Sequence, residues 1–475
     1  MTRYLVGIDN GSQSSKVTVF DERGGVVAEG RVPLRPNHTP ARGVVEHPDD
    51  DLWDSIAAAC RIAMEAFPGD PSEIVGVGLC TIRFCRAVLR ADGSLAQPVL
   101  SWMDARVGAP FVAEQDDVAY VTTSSGYVTH RLTGAFRDTA ANYQGVWPID
   151  TDTWRWSEDE AAYAATGMRP DQLFELVAPG EVLGTVTAEA AAATGLPVGL
   201  PVVATANDKA VEALGCGLLD PTTLLVSLGT YIAGMSVGER NIDGATDFWT
   251  NFGSEPGRYL YESGGIRRGM WTVSWFRDLL GPDFAAAADA AGERAEDRLG
   301  REAADVPAGS DGLLTVLDWL APAEATFRKG SILGFDGRQG RAHVYRSILE
   351  GIAMTMRDRG DAMAAELGTA YRRVVVSGGG SSSDLMMQIM SDVFQAPTIR
   401  VVGDSAAGRG AAICAAVATG VHPSFEAAAA AMVVERDRFT PDPSTAAVYD
   451  ALRAVHADVT AHTDEVYRRT AAIVG

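Results

Sequence analysis

The stretch GIDNGSQSSKVTVFD, from Gly7 to Asp21, sets an apolar run ending in an acid against a second apolar run, with a small polar turn between them. The alternation on either side of the turn predicts a β-hairpin. The turn itself, Asp9-Asn10-Gly11-Ser12, has the composition of an anion cradle, because no bulky side chain blocks approach to its backbone N–H groups. A carboxylate beside such a cradle is where a hydrated Mg²⁺ is held. Taken alone, the stretch reads as an ordinary structural turn.

Turns of the same composition recur far along the chain, each entered from an apolar strand: Gly229-Thr230 in LLVSLGTYIAGM, and Gly378-Gly379-Gly380-Ser381 in VVVSGGGSSSDLMMQIMSDVF. The segments around them repeat one plan. The first hairpin continues through the DERGG turn into a third strand, then a helix in HPDDDLWDSIAAACRIAMEAF and a strand in IVGVGLCTI. Later, PVVATANDKAVEALGCG reads as strand then helix, and TTLLVSLGTYIAGMSVG as two strands around a Gly-Thr turn. RAHVYRSILEGIAMTMRDRGDAMAAEL is a long amphipathic helix, AAAADAAGERAED reads as solvated helix, and the acidic tail from Pro441 predicts a peripheral helix.

At 475 residues the chain exceeds what one core supports, so two α/β domains are expected. The polar, glycine-containing GERNIDGATD places the boundary near 238–250, giving domains 1–240 and 241–475. Lys plus Arg is 40 against 62 acidic residues, a net charge of −22 that disfavours nucleic acid and anionic membrane surfaces as partners. The five cysteines are scattered and mostly within apolar runs, as reduced core thiols are. MTRYLVGIDNG has no signal-peptide pattern and no stretch is long and apolar enough to span a bilayer, so a cytoplasmic protein is expected. GSQSSKV lacks the glycine before Lys16 and the hydroxyl residue after it that a P-loop needs, and there is no GxGxxG, HExxH or CxxC.

Asp208, in TANDKAVEALG, falls at the first turn of a predicted helix directly after a strand. Either Asn207 or Asp208 caps that helix, or Asp208 is a general base whose ionised form the helix N-terminus favours. A polar cluster, Arg83 and Arg86 in CTIRFCRAVL with Trp102, Asp104 and Arg106 in SWMDAR, suits a polyhydroxylated ligand, and a structural ion pair of Asp104 with an arginine fits as well.

In this combination the chain resembles the FGGY carbohydrate kinases of the actin/Hsp70/hexokinase-like ATPase superfamily. GIDNGSQSSKVTVFD is similar to that superfamily's first phosphate motif, LLVSLGTYIAGM to its second, and VVVSGGGSSSDLMMQIMSDVF to its adenosine motif. GSILGFDGRQGRAHVYRSILE, 330–350, resembles the family's C-terminal signature throughout. The resemblance implies two ribonuclease-H-like domains with ATP and a sugar in the cleft between them. It implies Asp208 as catalytic base, Asp9 with Asp208 as Mg²⁺ ligands, and Gly11, Ser12 and Lys16 as phosphate contacts. Gly229 and Thr230 would meet the terminal phosphates and Gly379 and Gly380 the adenosine side; Arg83, Phe84, Trp102, Asp104 and Asp208 would face the sugar.

The chain also departs from the family pattern. About fifteen residues separate SWMDARV from SSGYVTHRLTGAF, where the family usually carries a further helical segment walling the substrate pocket. A more open pocket, or one completed in a homodimer, is expected. Phe84 stands where glycerol kinases carry a substrate-binding Glu, and RFC near where xylulokinases carry a Met-His pair. The expected activity is ATP-dependent phosphorylation of a ketopentose such as xylulose, the alternatives being a glycerol- or erythritol-type polyol kinase and a non-catalytic ATP-binding sugar sensor.

Overall fold

The structure, a computed structural model, describes residues 3–322, 325–403 and 405–474. The opening stretch is the hairpin that its alternation predicts. Strands β1 (Tyr4–Asn10) and β2 (Ser14–Asp21) run antiparallel, with Asp9 opposite Lys16 and Val6, Ile8, Val17 and Val19 buried. In the DERGG turn Asp21 Oδ1 accepts from the N–H groups of Arg23 and Gly25, both at 2.8 Å, and the chain returns as β3 (Val26–Pro33). Helix α1 (Asp51–Ala66) covers β2 and β3 and leads to β4 (Ile74–Thr81), which pairs parallel with β1. Strands β5 (Val182–Thr185) and β6 (Pro201–Ala204) complete a six-stranded sheet in the order β5-β6-β4-β1-β2-β3, and α2 (Ser124–Thr133) lies between β4 and β5 in the chain.

A second sheet repeats the plan. Strands β7 (Thr223–Leu228) and β8 (Ile232–Gly238) are antiparallel, and β9 (Phe248–Phe252) and β10 (Tyr259–Ser263) extend the sheet on the β8 side. On the other side β11 (Arg373–Ser377) runs parallel to β7 and β12 (Thr398–Val401) parallel to β11, with β13 (Glu435–Phe439) at the edge. Each sheet is therefore an antiparallel unit with parallel strands added beside its first strand, the duplicated α/β architecture expected from the sequence. Parallel additions require helical crossovers, which cover the sheet faces.

The change of sheet comes earlier than expected. β7 and β8 precede residue 240 yet pair in the second sheet, so helix α3 (Asp208–Gly215) connects the two sheets. GERNIDGATD instead joins β8 to β9 within one sheet. A polar, glycine-containing surface connection has the composition of a linker whichever it is.

The chain's second half also returns to the first sheet. After α4 (Gly269–Leu279), α5 (Arg341–Leu367) and α6 (Asp384–Phe394), helix α7 (Ala406–Ala418) packs on β1, β4 and α3. Glycines make this approach possible. A Cβ on Gly7 would come within 1.9 Å of the Gly408 carbonyl oxygen, one on Gly78 within 2.0 Å of that of Ala411, and one on Gly410 within 2.0 Å of that of Val211. Helix α8 (Ala446–Val474), expected to be peripheral, is anchored near its start: Tyr449 is fully buried and donates to Glu350 Oε1 at 2.9 Å. All five cysteines are buried and free, and among the described residues no helix is long and apolar enough to cross a membrane.

Candidate active site

Asn207, not Asp208, caps helix α3: its side chain accepts from the Ala210 N–H at 3.1 Å. Asp208 is thereby left at the first helical position with a side chain 32% exposed. Its Oδ1 lies 3.6 Å from Nε of Arg83, in the loop after β4. Arg83 in turn donates to both oxygens of Glu262 on β10, at 2.7 and 3.1 Å, and the Glu262 side chain is fully buried. An arginine carried by the first sheet thus pairs in a fork with a carboxylate carried by the second, the geometry that guanidinium and carboxylate planes favour. Phe84 follows in left-handed backbone at φ 64°, with the Arg83 guanidinium 5.3 Å from its ring centroid. Non-glycine residues held in that region concentrate at ligand sites.

Asp9, at the end of β1, is crowded by negative charge. Its carboxyl is pushed up to about 7, first by burial and then by Asp208 and Glu212, with Lys16 and Lys209 acting in the opposite direction. Lys16 donates to Glu29 Oε2 at 2.8 Å. Lys209, beside Asp208 on α3, donates to Glu212 Oε2 at 2.8 Å and to Ser227 Oγ at 3.2 Å. Burial opposes the Lys209 charge, but Glu212 and Asp208 outweigh it and hold its pKa above the ordinary lysine value. Glu212 also accepts from Ser227 at 2.7 Å and Ser377 at 2.6 Å, which face each other on β7 and β11 just before the two glycine turns.

Those turns adjoin one another in space. Gly378 sits at φ 79°, and a Cβ there would come within 2.6 Å of the Leu228 carbonyl oxygen. Thr230 and Gly229 carbonyls accept from the N–H groups of Gly269 and Met270, at 2.8 and 3.1 Å, which seats this turn on the start of α4. Gly229, Thr230, Gly379 and Gly380 line a cleft of about 1530 Å³, and Gln13 and Arg31 from the first sheet's hairpin line it too. Arg294, Glu296 and Asp297, in a stretch that reads as solvated helix, also face this cleft. Gly11 donates to the Ser14 carbonyl at 3.1 Å and so closes the hairpin turn that carries Ser12.

Several expected residues are placed otherwise. Asp104 is turned into the protein: its oxygens accept from Val45 N, Arg106 N and the Arg106 guanidinium at 2.8–2.9 Å, and its side chain is fully buried. With every acceptor direction taken, it anchors its loop and has none left for a ligand. Arg86 likewise donates to the carbonyls of Arg106 and Val107 at 3.0 and 3.1 Å. Trp102 and Met103 are 48% and 49% exposed, beside the stretch that is short in this sequence. GMSVG, 234–238, has the spacing of a serine-hydrolase elbow, but it lies inside β8 with Ser236 fully buried, not on a strand-to-helix turn.

Comparison with known proteins places the chain in a family. The model of the N-terminal domain of the FGGY family of carbohydrate kinases matches residues 4–115 and 109–215, and that of its C-terminal domain matches 224–419. The chain belongs to the FGGY family of carbohydrate kinases. The uncharacterized sugar kinase YgcE of Escherichia coli (strain K12) is 47% identical over 469 residues, 98% of this chain and 95% of its own. A xylulose kinase of Bacillus subtilis (strain 168) is 25% identical over 98% of each chain. The xylulose kinase structure from Rhodospirillum rubrum superposes with a TM-score of 0.82 at 24% identity, covering 98% of this chain and 100% of its own. The gluconate kinase structure from Lactobacillus acidophilus gives 0.84 at 18% identity over 99% and 100%. These superpositions show the fold, and the family membership makes the protein a sugar kinase, a phosphotransferase.

Within an FGGY kinase the residues that the sequence did not expose are Glu262, Lys209, Glu212 and Tyr231. Tyr231 follows Thr230, and its hydroxyl is pushed up by burial and then by Glu262. Glu262 carries a weak signal: an acid in the otherwise apolar strand YLYES needs a buried partner. Lys209 and Glu212 stand three apart on α3, a spacing that reads as an ordinary surface pair until their burial is known.

Proposed function

We propose that this kinase transfers the γ-phosphoryl group of ATP to a hydroxyl of a ketopentose such as xylulose. The supporting observation is the position of Asp208: released from capping by Asn207, partly exposed, beside Arg83, and close enough to Asp9 to raise its pKa. In the step, a bond forms between the acceptor oxygen and the γ-phosphorus, the bond from that phosphorus to the β–γ bridging oxygen breaks, and ADP leaves. Asp208 receives the hydroxyl proton. Phosphoryl transfer asks mainly for alignment and charge neutralisation. The turns at Gly11-Ser12, Gly229-Thr230 and Gly379-Gly380 would hold the nucleotide, with Lys16 as a further phosphate contact.

The donor set suits Mg²⁺. Among the described residues no group of three or more His, Cys, Asp or Glu could hold a metal by itself, and Mg²⁺ is usually held by one or two carboxylates with waters and phosphate oxygens. Asp9 and Asp208 would hold it, and their mutual crowding is what a cation relieves. When bound, it would neutralise charge on the β- and γ-phosphates.

The Arg83–Glu262 fork favours a second reading, a polyol acceptor. Phe84 replaces the neighbouring acid expected of a glycerol kinase, and Glu262 supplies a carboxylate to the same arginine from the facing sheet. A coupled ADP-release screen over pentuloses, hexuloses, aldoses and polyols tests both. A dominant pentulose signal supports the first reading and a dominant polyol signal the second. No acceptor-dependent ADP release with any compound contradicts both.

A further inference from the structure

Relatives of similar fold include kinases of neutral sugars and of a sugar acid, and the charges around Asp208 discriminate between the two acceptor classes. A sugar acid needs a cation free to receive its carboxylate, and Arg83 is the guanidinium that reaches the base, 3.6 Å from Asp208. That guanidinium is already held by Glu262 through two hydrogen bonds of 2.7 and 3.1 Å. Among the described residues Arg83 alone donates to the Glu262 carboxylate, which has no exposed surface. Displacing it would leave a buried, unpaired charge, the costly way to break such a pair. The other ammonium next to Asp208, that of Lys209, is taken by Glu212 and Ser227. Lys16 is taken by Glu29. What then faces an acceptor is the partly exposed Asp208 carboxylate, with Asp9 close by.

We infer that Glu262 sets acceptor specificity: by occupying Arg83 from the opposite sheet it closes the site to sugar acids and selects uncharged, polyhydroxylated acceptors. This rests on the phosphoryl-transfer reading above and assigns a residue to its acceptor preference. A neutral hydroxyl needs no such cation: it can donate to the partly exposed Asp208 carboxylate, which leaves the Arg83–Glu262 pair intact. An acceptor carboxylate, by contrast, meets the like charge of Asp208 while the neighbouring guanidinium is already paired.

The test is kcat/KM for xylulose, ribulose, xylitol and erythritol against xylonate and gluconate, in the wild type and in Glu262→Gln. In the wild type the best uncharged acceptor is expected to exceed either sugar acid by at least about 100-fold, the scale of a desolvated like-charge contact. In Glu262→Gln, which frees the guanidinium, the ratio is expected to move toward the sugar acids by at least about tenfold while KM for ATP changes by less than about twofold. Glu262→Asp, which keeps the charge, is expected to keep the neutral preference. A wild type that phosphorylates sugar acids as well as neutral acceptors overturns the inference and leaves the kinase reading standing, and this arm needs no variant to fold. Equal losses on both acceptor classes in Glu262→Gln overturn it too, marking the pair as purely structural. No ADP release with either class overturns the phosphoryl-transfer reading itself, and the inference with it.

Discussion

Asp138 accepts from Thr123 Oγ1 at 2.7 Å, Ser125 Oγ at 2.6 Å and the Thr139 N–H at 2.7 Å, all within the buried hydroxyl network that reaches Thr205, shortly before Asp208. Burial nevertheless outweighs these bonds and pushes its carboxyl up to about 6. The sign of the consequence follows from linkage. Between the ordinary value of 3.8 and about 6 the folded state holds the proton more tightly than the unfolded chain. The stability tied to this group is therefore full below that window and lost as pH rises through it, by roughly 3 kcal/mol in all. Asp138→Asn, which stays neutral, is expected to gain on the wild type by about that amount between pH 4 and pH 7 in urea denaturation. A variant that instead loses ground as pH rises would show that the ionised carboxylate is the form the fold prefers.

Helix α7 shows how an element with little chemistry of its own can govern the site. It is seated on β1, β4 and α3 by backbone contacts that leave no room for a methyl group, and α3 begins with Asp208. Gly410→Ala would drive a Cβ to within 2.0 Å of the Val211 carbonyl, and backbone cannot rotate away as a side chain does. Overpacking of this kind costs about 1–3 kcal/mol or more, so a clear fall in the denaturation midpoint is expected, with kcat lowered as α3 shifts. Gly108→Ala, exposed and with nothing within 4 Å of an added Cβ, is the control and should stay within about 0.5 kcal/mol of the wild type. Equal effects of the two would remove the seam from this account. The elements themselves were legible: the opening hairpin, α1, α5 and the strand before the triple glycine carry their own periodicity and turn residues. The return of α7 to the first sheet was not, because GRGAAICAAVA is simply a small-residue helix until its partners are known.

At the scale of the whole molecule turns from the two sheets line one cleft, and the Arg83–Glu262 fork joins an arginine carried by the first sheet to a carboxylate carried by the second. Closure that excludes water protects a phosphoryl group from hydrolysis. Small-angle scattering is expected to show a smaller radius of gyration with acceptor plus a non-hydrolysable ATP analogue than with neither, and no compaction at saturation would contradict closure. The duplicated architecture and the three glycine turns were readable because each depends on local pattern. The site was readable only in part, since Asp104 and Arg86 look the same in sequence whether they face a ligand or hold a loop, and Glu262 meets Arg83 only once the two sheets are brought together. Asp208, the proposed base, is where fold, site and function meet. Asp208→Asn keeps the helix position and size while removing the proposed proton acceptor, and losing a positioned base typically costs about 10² to 10⁴ in rate. The most direct measurement is therefore acceptor-dependent ADP release by this variant alongside its affinity for ATP. A fall of at least about 100-fold in kcat with ATP binding retained is the predicted result. Near-normal turnover would contradict the assignment of Asp208 and the mechanism built on it.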